Sequence, residues 1–250
     1  MNKLIILIPF LAVFLFNCDG KKTEKASEVE TLDEEVPEEE VVDVMEEKGD
    51  EVEEVLIDNE YIKAIKVNLK PGEELPWHKG KERVMYPLND FQVKLKSLTD
   101  DDEAKERLFQ KGVPNWFQEN IHSVKNIGNT PAKYLIVMRK QKSFPEGKMY
   151  EVSELKTADG VNVVSLFDNA SVRVSRVKLE VGKETSVHKG IYRLTYPLTD
   201  YSVVYDKENQ TKETRNIFKG VAHWHLPSSH SIKNVSNKGV ADFLVFEFKI

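Results

Sequence analysis

Residues 61–69 read YIKAIKVNL, and residues 172–179 read VRVSRVKL. Apolar and polar positions alternate in both, and β-branched residues are frequent, the pattern of a strand with one face buried. PGEE at 71–74 and VGKE at 181–184 supply turns. YPLNDFQVKL (86–95) and YPLTDYSVVY (196–205) open further strands, and YLIVMRK (134–140) and DFLVFEFK (242–249) are strongly apolar runs that close each series. In this body of the chain, helical spacing is confined to DDEAKERLF at 101–109. Many short strands separated by turns predict an all-β fold, either a sandwich or a closed barrel.

The series is written twice. Aligned without gaps, residues 56–93 and 166–203 are identical at 16 of 38 positions, among them the HKG, the Arg and the YPL of HKGKERVMYPL and HKGIYRLTYPL. A second block, KGVPNWFQENIHSVKNIGN at 111–129 against KGVAHWHLPSSHSIKNVSN at 219–237, is identical at 9 of 19. The body is therefore two copies of one unit, 55–140 and 163–250, with residues 141–162 as connector.

The N-terminus has another character. Lys3 is followed by thirteen apolar residues, LIILIPFLAVFLF, and then by Asn17 and Cys18. A positive end before a short apolar run is the form of an export signal. The run is shorter than the roughly 20 residues that span a bilayer. Cys18 is the only cysteine, so no disulfide forms within the chain and the fold rests on its core. The alternative for residues 1–18 is an uncleaved anchor helix.

Residues 19–54 hold 17 Asp and Glu against 4 Lys and no aromatic residue. Such a segment buries too little to offset the entropy of ordering, so a disordered acidic tether is expected. The whole chain carries −6 and the tether −13, which leaves about +6 on residues 55–250. A mildly basic body favours anionic ligands, and an exported protein is not expected to meet nucleic acid.

Two resemblances sharpen this reading. Leu15-Phe16-Asn17-Cys18 resembles a bacterial lipobox, which implies lipidation of Cys18 and a membrane of the cell envelope as partner. Gly72 with His78, Gly182 with His188, and the pairs His122/Asn126 and His230/Asn234 resemble the two motifs of the cupins, as do the phrases HSVKNIGN and HSIKNVSN. The resemblance covers both units and implies two tandem cupin-type jelly-roll barrels.

Cupins hold a metal with His-x-His, a nearby Glu and the His of the second motif. Alternate residues of a strand share a face, so such a set converges inside the barrel and suits Fe, Mn, Ni or Zn. Here Gly80 and Gly190 stand where the second His belongs, and no Glu stands at 84–85 or 194–195. The first unit keeps His78 and His122. The second has His188 and His230, with His223 and His225 nearby, a set of imidazoles suited to Zn or Cu. Lys79, Arg83, Lys189 and Arg193 are candidate cations at the barrel mouths for a carboxylate or phosphate. The reading is a lipid-anchored, exported binding protein for a small polar or anionic ligand, with a divalent transition metal a candidate for the second barrel. Two alternatives remain open: a metal-dependent dioxygenase or isomerase, and a surface scaffold for partner contacts.

Overall fold

A computed structural model describes residues 52–98, 103–140, 144 and 155–249. The signal, Cys18 and nearly all of the tether lie outside the described residues. The first unit contains β1 (Glu53–Asp58), β2 (Ile62–Leu69), β3 (Glu74–Gly80), β4 (Arg83–Pro87), β5 (Phe91–Ser97), β6 (Lys105–Phe109), β7 (Asn115–Phe117), β8 (Asn120–Asn126) and β9 (Ala132–Arg139). The second contains β10 (Val161–Asp168), β11 (Val172–Leu179), β12 (His188–Gly190), β13 (Arg193–Pro197), β14 (Tyr201–Lys207), β15 (Glu213–Ile217), β16 (His223–His225), β17 (Ser228–Asn234) and β18 (Ala241–Phe248). Each unit is a jelly roll of two antiparallel sheets, β1-β2-β9-β4-β7 with β3-β8-β5-β6, and β10-β11-β18-β13-β16 with β12-β17-β14-β15.

The all-β expectation holds, with two corrections. The described part of DDEAKERLF is not helical: Lys105–Phe109 is a strand whose residues pair one to one with β5, Phe91 opposite Phe109. Phe109 is buried against Phe91 and anchors it there, a tertiary contact that overrides local periodicity. The first strand also begins at Glu53, inside the stretch assigned to the tether, with Lys66 of β2 bonding Glu54 at 2.8 Å.

The five-stranded sheets carry the core. Ile65, Val67, Leu69, Met85, Tyr134 and Ile136 face the interior of the first barrel. Ile62, Ala64, Val84, Tyr86, Leu135 and Val137 face the other way and pack against Val172, Val174, Leu194, Tyr196, Leu244 and Phe246 of the second. Both faces of these sheets are buried, which is why the closing strands are continuously apolar rather than alternating. All eight residues of β18 are buried.

The repeated Asp-Asn pairs are structural. Asn59 Oδ1 accepts from the backbone N–H of Tyr61 and Ile62, both at 2.9 Å. Asn169 does the same for Ser171 and Val172. Asp58 and Asp168 pair with Lys140 and Lys249. The motif asparagines are ties as well. Asn126 is fully buried and donates to the carbonyls of Leu69 and Thr130, and Asn234 donates to those of Leu179 and Gly239. Gly72 and Gly182 make their turns at φ +81° and +79°, a conformation that favours glycine.

Phe144, in the connector, is 2% exposed. Its ring stacks on Tyr192 of the second barrel (4.6 Å between centroids) and on Tyr61 of the first (5.6 Å), with the Arg139 guanidinium 4.7 Å from its centre. Truncating a buried Phe costs about 3–5 kcal/mol. Phe144→Ala is expected to lower the unfolding free energy by that amount and so to shift the urea midpoint down, with both barrels still melting in one transition. An unchanged midpoint in chemical denaturation would show that the connector does not clamp the barrels.

Candidate functional site

His78 opens the β3 segment that pairs with β8 after a register shift, and its cross-strand partner is His122. Their rings lie 4.2 Å apart between centroids. His188 and His230 repeat this at 4.3 Å. The sequence-predicted pairs therefore do meet. Their ring protons follow from their partners. His78 Nδ1 lies 2.7 Å from the Pro76 carbonyl and His188 Nδ1 2.9 Å from the Ser186 carbonyl. A carbonyl only accepts, so Nδ1 carries the hydrogen in both.

The arginines of HKG..R reach the same place. Arg83 is 5% exposed, and its Nη2 sits 3.1 Å from His122 Nε2. A guanidinium only donates, so the His122 ring is neutral and its one lone pair faces Arg83. Nη2 also donates to Asn120 Oδ1 (3.0 Å), and Nη1 to the carbonyls of Lys81 (2.9 Å) and Gln118 (3.4 Å). The ring of Phe117 lies 5.1 Å from the guanidinium carbon. In the second barrel Arg193 is equally buried, with Nη2 3.3 Å from His230 Nε2 and Nη1 donating to the Ile191 and Leu226 carbonyls.

Gly80 and Gly190 make room for this. A Cβ on Gly80 would lie 2.4 Å from Arg83 Nη1 and 2.8 Å from His122 Cε1; on Gly190 it would lie 2.3 Å from Arg193 Nη1. The position where cupins place a second histidine is thus reduced to a hydrogen atom so that a guanidinium can pass over it.

This donor set does not fit a metal. A metal would need the imidazole lone pair at about 2.0–2.1 Å, and that lone pair in His122 and His230 already accepts from an arginine. Among the described residues no group of three or more His, Cys, Asp or Glu is placed to hold a metal ion. The four candidate imidazoles of the second barrel lie on two different sheets: His188 and His230 on β12 and β17, His223 and His225 on β16, paired with β13. His225 Nε2 bonds the Thr195 hydroxyl at 3.1 Å.

The lysines do not enter the site. Lys79 is exposed and pairs with Glu119 at 2.6 Å, and Lys189 is exposed. Neighbouring positions of a strand point to opposite faces, so HKG puts His inward and Lys outward. Tyr86 and Tyr196 are also buried, in the interface between barrels. Trp116 and Trp224 pack against that same core.

Burial dominates the electrostatics. It pushes the His122 ring down to about 4, with the nearby Arg83 cation and His78 adding to the effect. It pushes His230 down to about 2, helped by Arg193 and His188. Arg83 is lowered to about 10 by burial and remains charged at neutral pH. The first barrel also contains a cavity of about 330 Å³ whose lining includes Arg83 and His122 together with Phe91, Val93, Phe109 and Ile136. Sequence reasoning named Arg83 and His122 but missed these walls, which only the barrel closure assembles.

No protein-family model matches the sequence, and no curated protein matches it either. Solved structures do. A Bacillus subtilis oxalate decarboxylase structure concerned with its Mn(II) centres matches with TM-score 0.57 at 13% identity, over 76% of this chain and 69% of that one. The formate complex of Lactobacillus farciminis oxalate decarboxylase matches with TM-score 0.56 at 13% identity, over 77% of this chain and 78% of that one. The fold is a tandem pair of cupin-type jelly-roll barrels.

The imidazoles give stability a pH dependence. Their folded values lie below the ordinary 6.5. Between about 6.5 and 4 the unfolded chain binds protons that the folded chain does not, so stability falls as pH drops through that window. His122 alone accounts for about 3 kcal/mol at the acid end, at about 1.4 kcal/mol per pH unit. Urea midpoints at pH 7, 6, 5 and 4.5 should decline steadily, and His122→Asn should flatten the decline. A level profile would mean the ring is not held neutral.

Proposed function

We propose that the protein is a binding module whose first barrel holds a small anionic ligand at Arg83 and His122, and that Cys18 is lipidated so that the module is displayed outside the cytoplasm. One observation carries the binding reading. Arg83 is a buried cation, every acceptor it meets is neutral, and no carboxylate stands beside it among the described residues. An uncompensated buried charge is costly, and an anion entering the adjoining cavity would relieve that cost. The chemistry available is charge and hydrogen bonding around a neutral imidazole, which suits capture rather than turnover.

A ligand that binds only the folded state raises stability by about 2.7 kcal/mol at one hundred times its Kd. Thermal unfolding of the full-length protein with acetate, benzoate and inorganic phosphate is expected to reveal such a shift for at least one of them. Arg83→Met, which keeps volume and removes charge, should lose it. No shift with any anion, or an equal shift in Arg83→Met, would refute the reading.

The anchor rests on Leu15-Phe16-Asn17-Cys18 behind the apolar run, with the acidic segment after it as spacer. Mass spectrometry of the protein from its native membrane should find lipid on Cys18, and Cys18→Ala should partition into the aqueous phase of a detergent extraction. Identical partitioning of the two proteins without lipid mass would remove the anchor from the account.

A further inference from the structure

The two barrels share their arginine and histidine but differ around them. Met85, Leu95 and Phe117 line the first cavity. Gapless alignment within each block puts Thr195, Tyr205 and His225 at these positions in the second barrel. Across the sheet from Arg83 stands Met138, whereas across from Arg193 stands Glu247.

These replacements form a connected polar cluster. Glu247 is 5% exposed, bonds Arg173 at 2.8 Å and feels the charge of Arg193. The Tyr205 ring stacks on His230 at 5.1 Å. The second barrel thus answers its guanidinium with a carboxylate of its own and covers its imidazole with a phenol. The first barrel has the same guanidinium and imidazole, an apolar residue at each of the four other positions, and an open cavity.

We infer that the first barrel takes a monocarboxylate borne on a compact apolar body, and that Glu247 with Tyr205 is the built-in equivalent of that ligand in the second barrel. This rests on the anion-binding reading above and narrows it to one chemical class. Arg83 supports a monoanion. Its four Nη hydrogens have acceptors, and Nε–H is left without one among the described residues. One charge and one free N–H match a carboxylate oxygen better than the three oxygens of a phosphate dianion. The walls support the apolar body: Phe91, Leu95, Phe109 and Phe117 carry no charge, and the charged lining residues Lys96, Lys105, Arg107 and Glu119 are exposed to solvent. A cavity of 330 Å³ equals about eleven water-sized volumes at about 30 Å³ each, room for an acid the size of octanoate or phenylacetate.

The test is calorimetric titration of the full-length protein with octanoate, phenylacetate, acetate, inorganic phosphate and octanol. Octanoate or phenylacetate should bind once per chain, at least tenfold tighter than acetate or phosphate, and octanol should be weak. Met138→Glu, which gives the first barrel the second barrel's carboxylate, should weaken binding at least tenfold, while Glu247→Met should leave it unchanged. Circular dichroism checks that each variant folds. If Met138→Glu does not fold, the ligand series on the unaltered protein still decides. Acetate or phosphate binding as tightly as octanoate would overturn the class while the anion reading stands. Octanol matching octanoate, or no binding at all, would overturn both. Unaltered binding in a folded Met138→Glu would overturn the equivalence with Glu247.

Discussion

A guanidinium inside a β-barrel brings five hydrogen-bond donors and a charge that water no longer screens. Arg83 and Arg193 satisfy the first demand almost entirely with neutral acceptors, and the imidazole of the second-motif histidine is the one both share. Everything else in the sites follows from holding that pair together. The histidine must stay neutral, because its lone pair is the acceptor. The residue three positions before the arginine must be glycine, because any Cβ there would meet the guanidinium. In the first barrel Asn120, which begins the facing strand, accepts from the same guanidinium. A fold that in other proteins surrounds a bound cation here carries a covalent one.

The covalent cation changes what the barrel interior can offer. A metal ion presents open coordination positions and an intense local charge, whereas a guanidinium presents a delocalised charge and a fixed fork of N–H groups. The likeness to Mn(II)-containing oxalate decarboxylases therefore describes the path of the backbone and leaves the chemistry to the residues. The two copies also show that a cation alone does not define a site. Arg193 has Glu247 as its cross-strand partner; Arg83 has Met138 and lines a cavity.

Much of this was legible in the sequence. Alternation in YIKAIKVNL and VRVSRVKL gave strands, and the recurrence of HKG..R..YPL gave two units before any coordinate was known. The motif histidines were found and correctly paired. What the sequence withheld depends on contacts across the barrel. Gly80 and Arg83 are three residues apart, yet the reason for the glycine is a guanidinium that folds back over it. Lys79 and Arg83 looked alike as cations, and only strand parity separates the exposed one from the buried one. His223 and His225 lie on the sheet that faces His230 rather than on its own, and His225 is still near enough for its charge to act on that ring. Lys105–Phe109 carried helical spacing, and its strand state is imposed by pairing with β5.

The apolar outer face of each five-stranded sheet has a consequence for origin. Ile62, Ala64, Val84, Tyr86, Leu135 and Val137 are covered only because a second barrel lies against them. A lone unit would expose that face to water, and an apolar face of this kind is satisfied by a copy of itself in a two-fold pair. The tandem chain reads as such a pair made permanent, two subunits fused by a connector. Fusion also removed the requirement that the halves be alike: a homodimer must carry every substitution twice, whereas a single chain can place Glu247 and Tyr205 in one barrel and Met138 and Leu95 in the other.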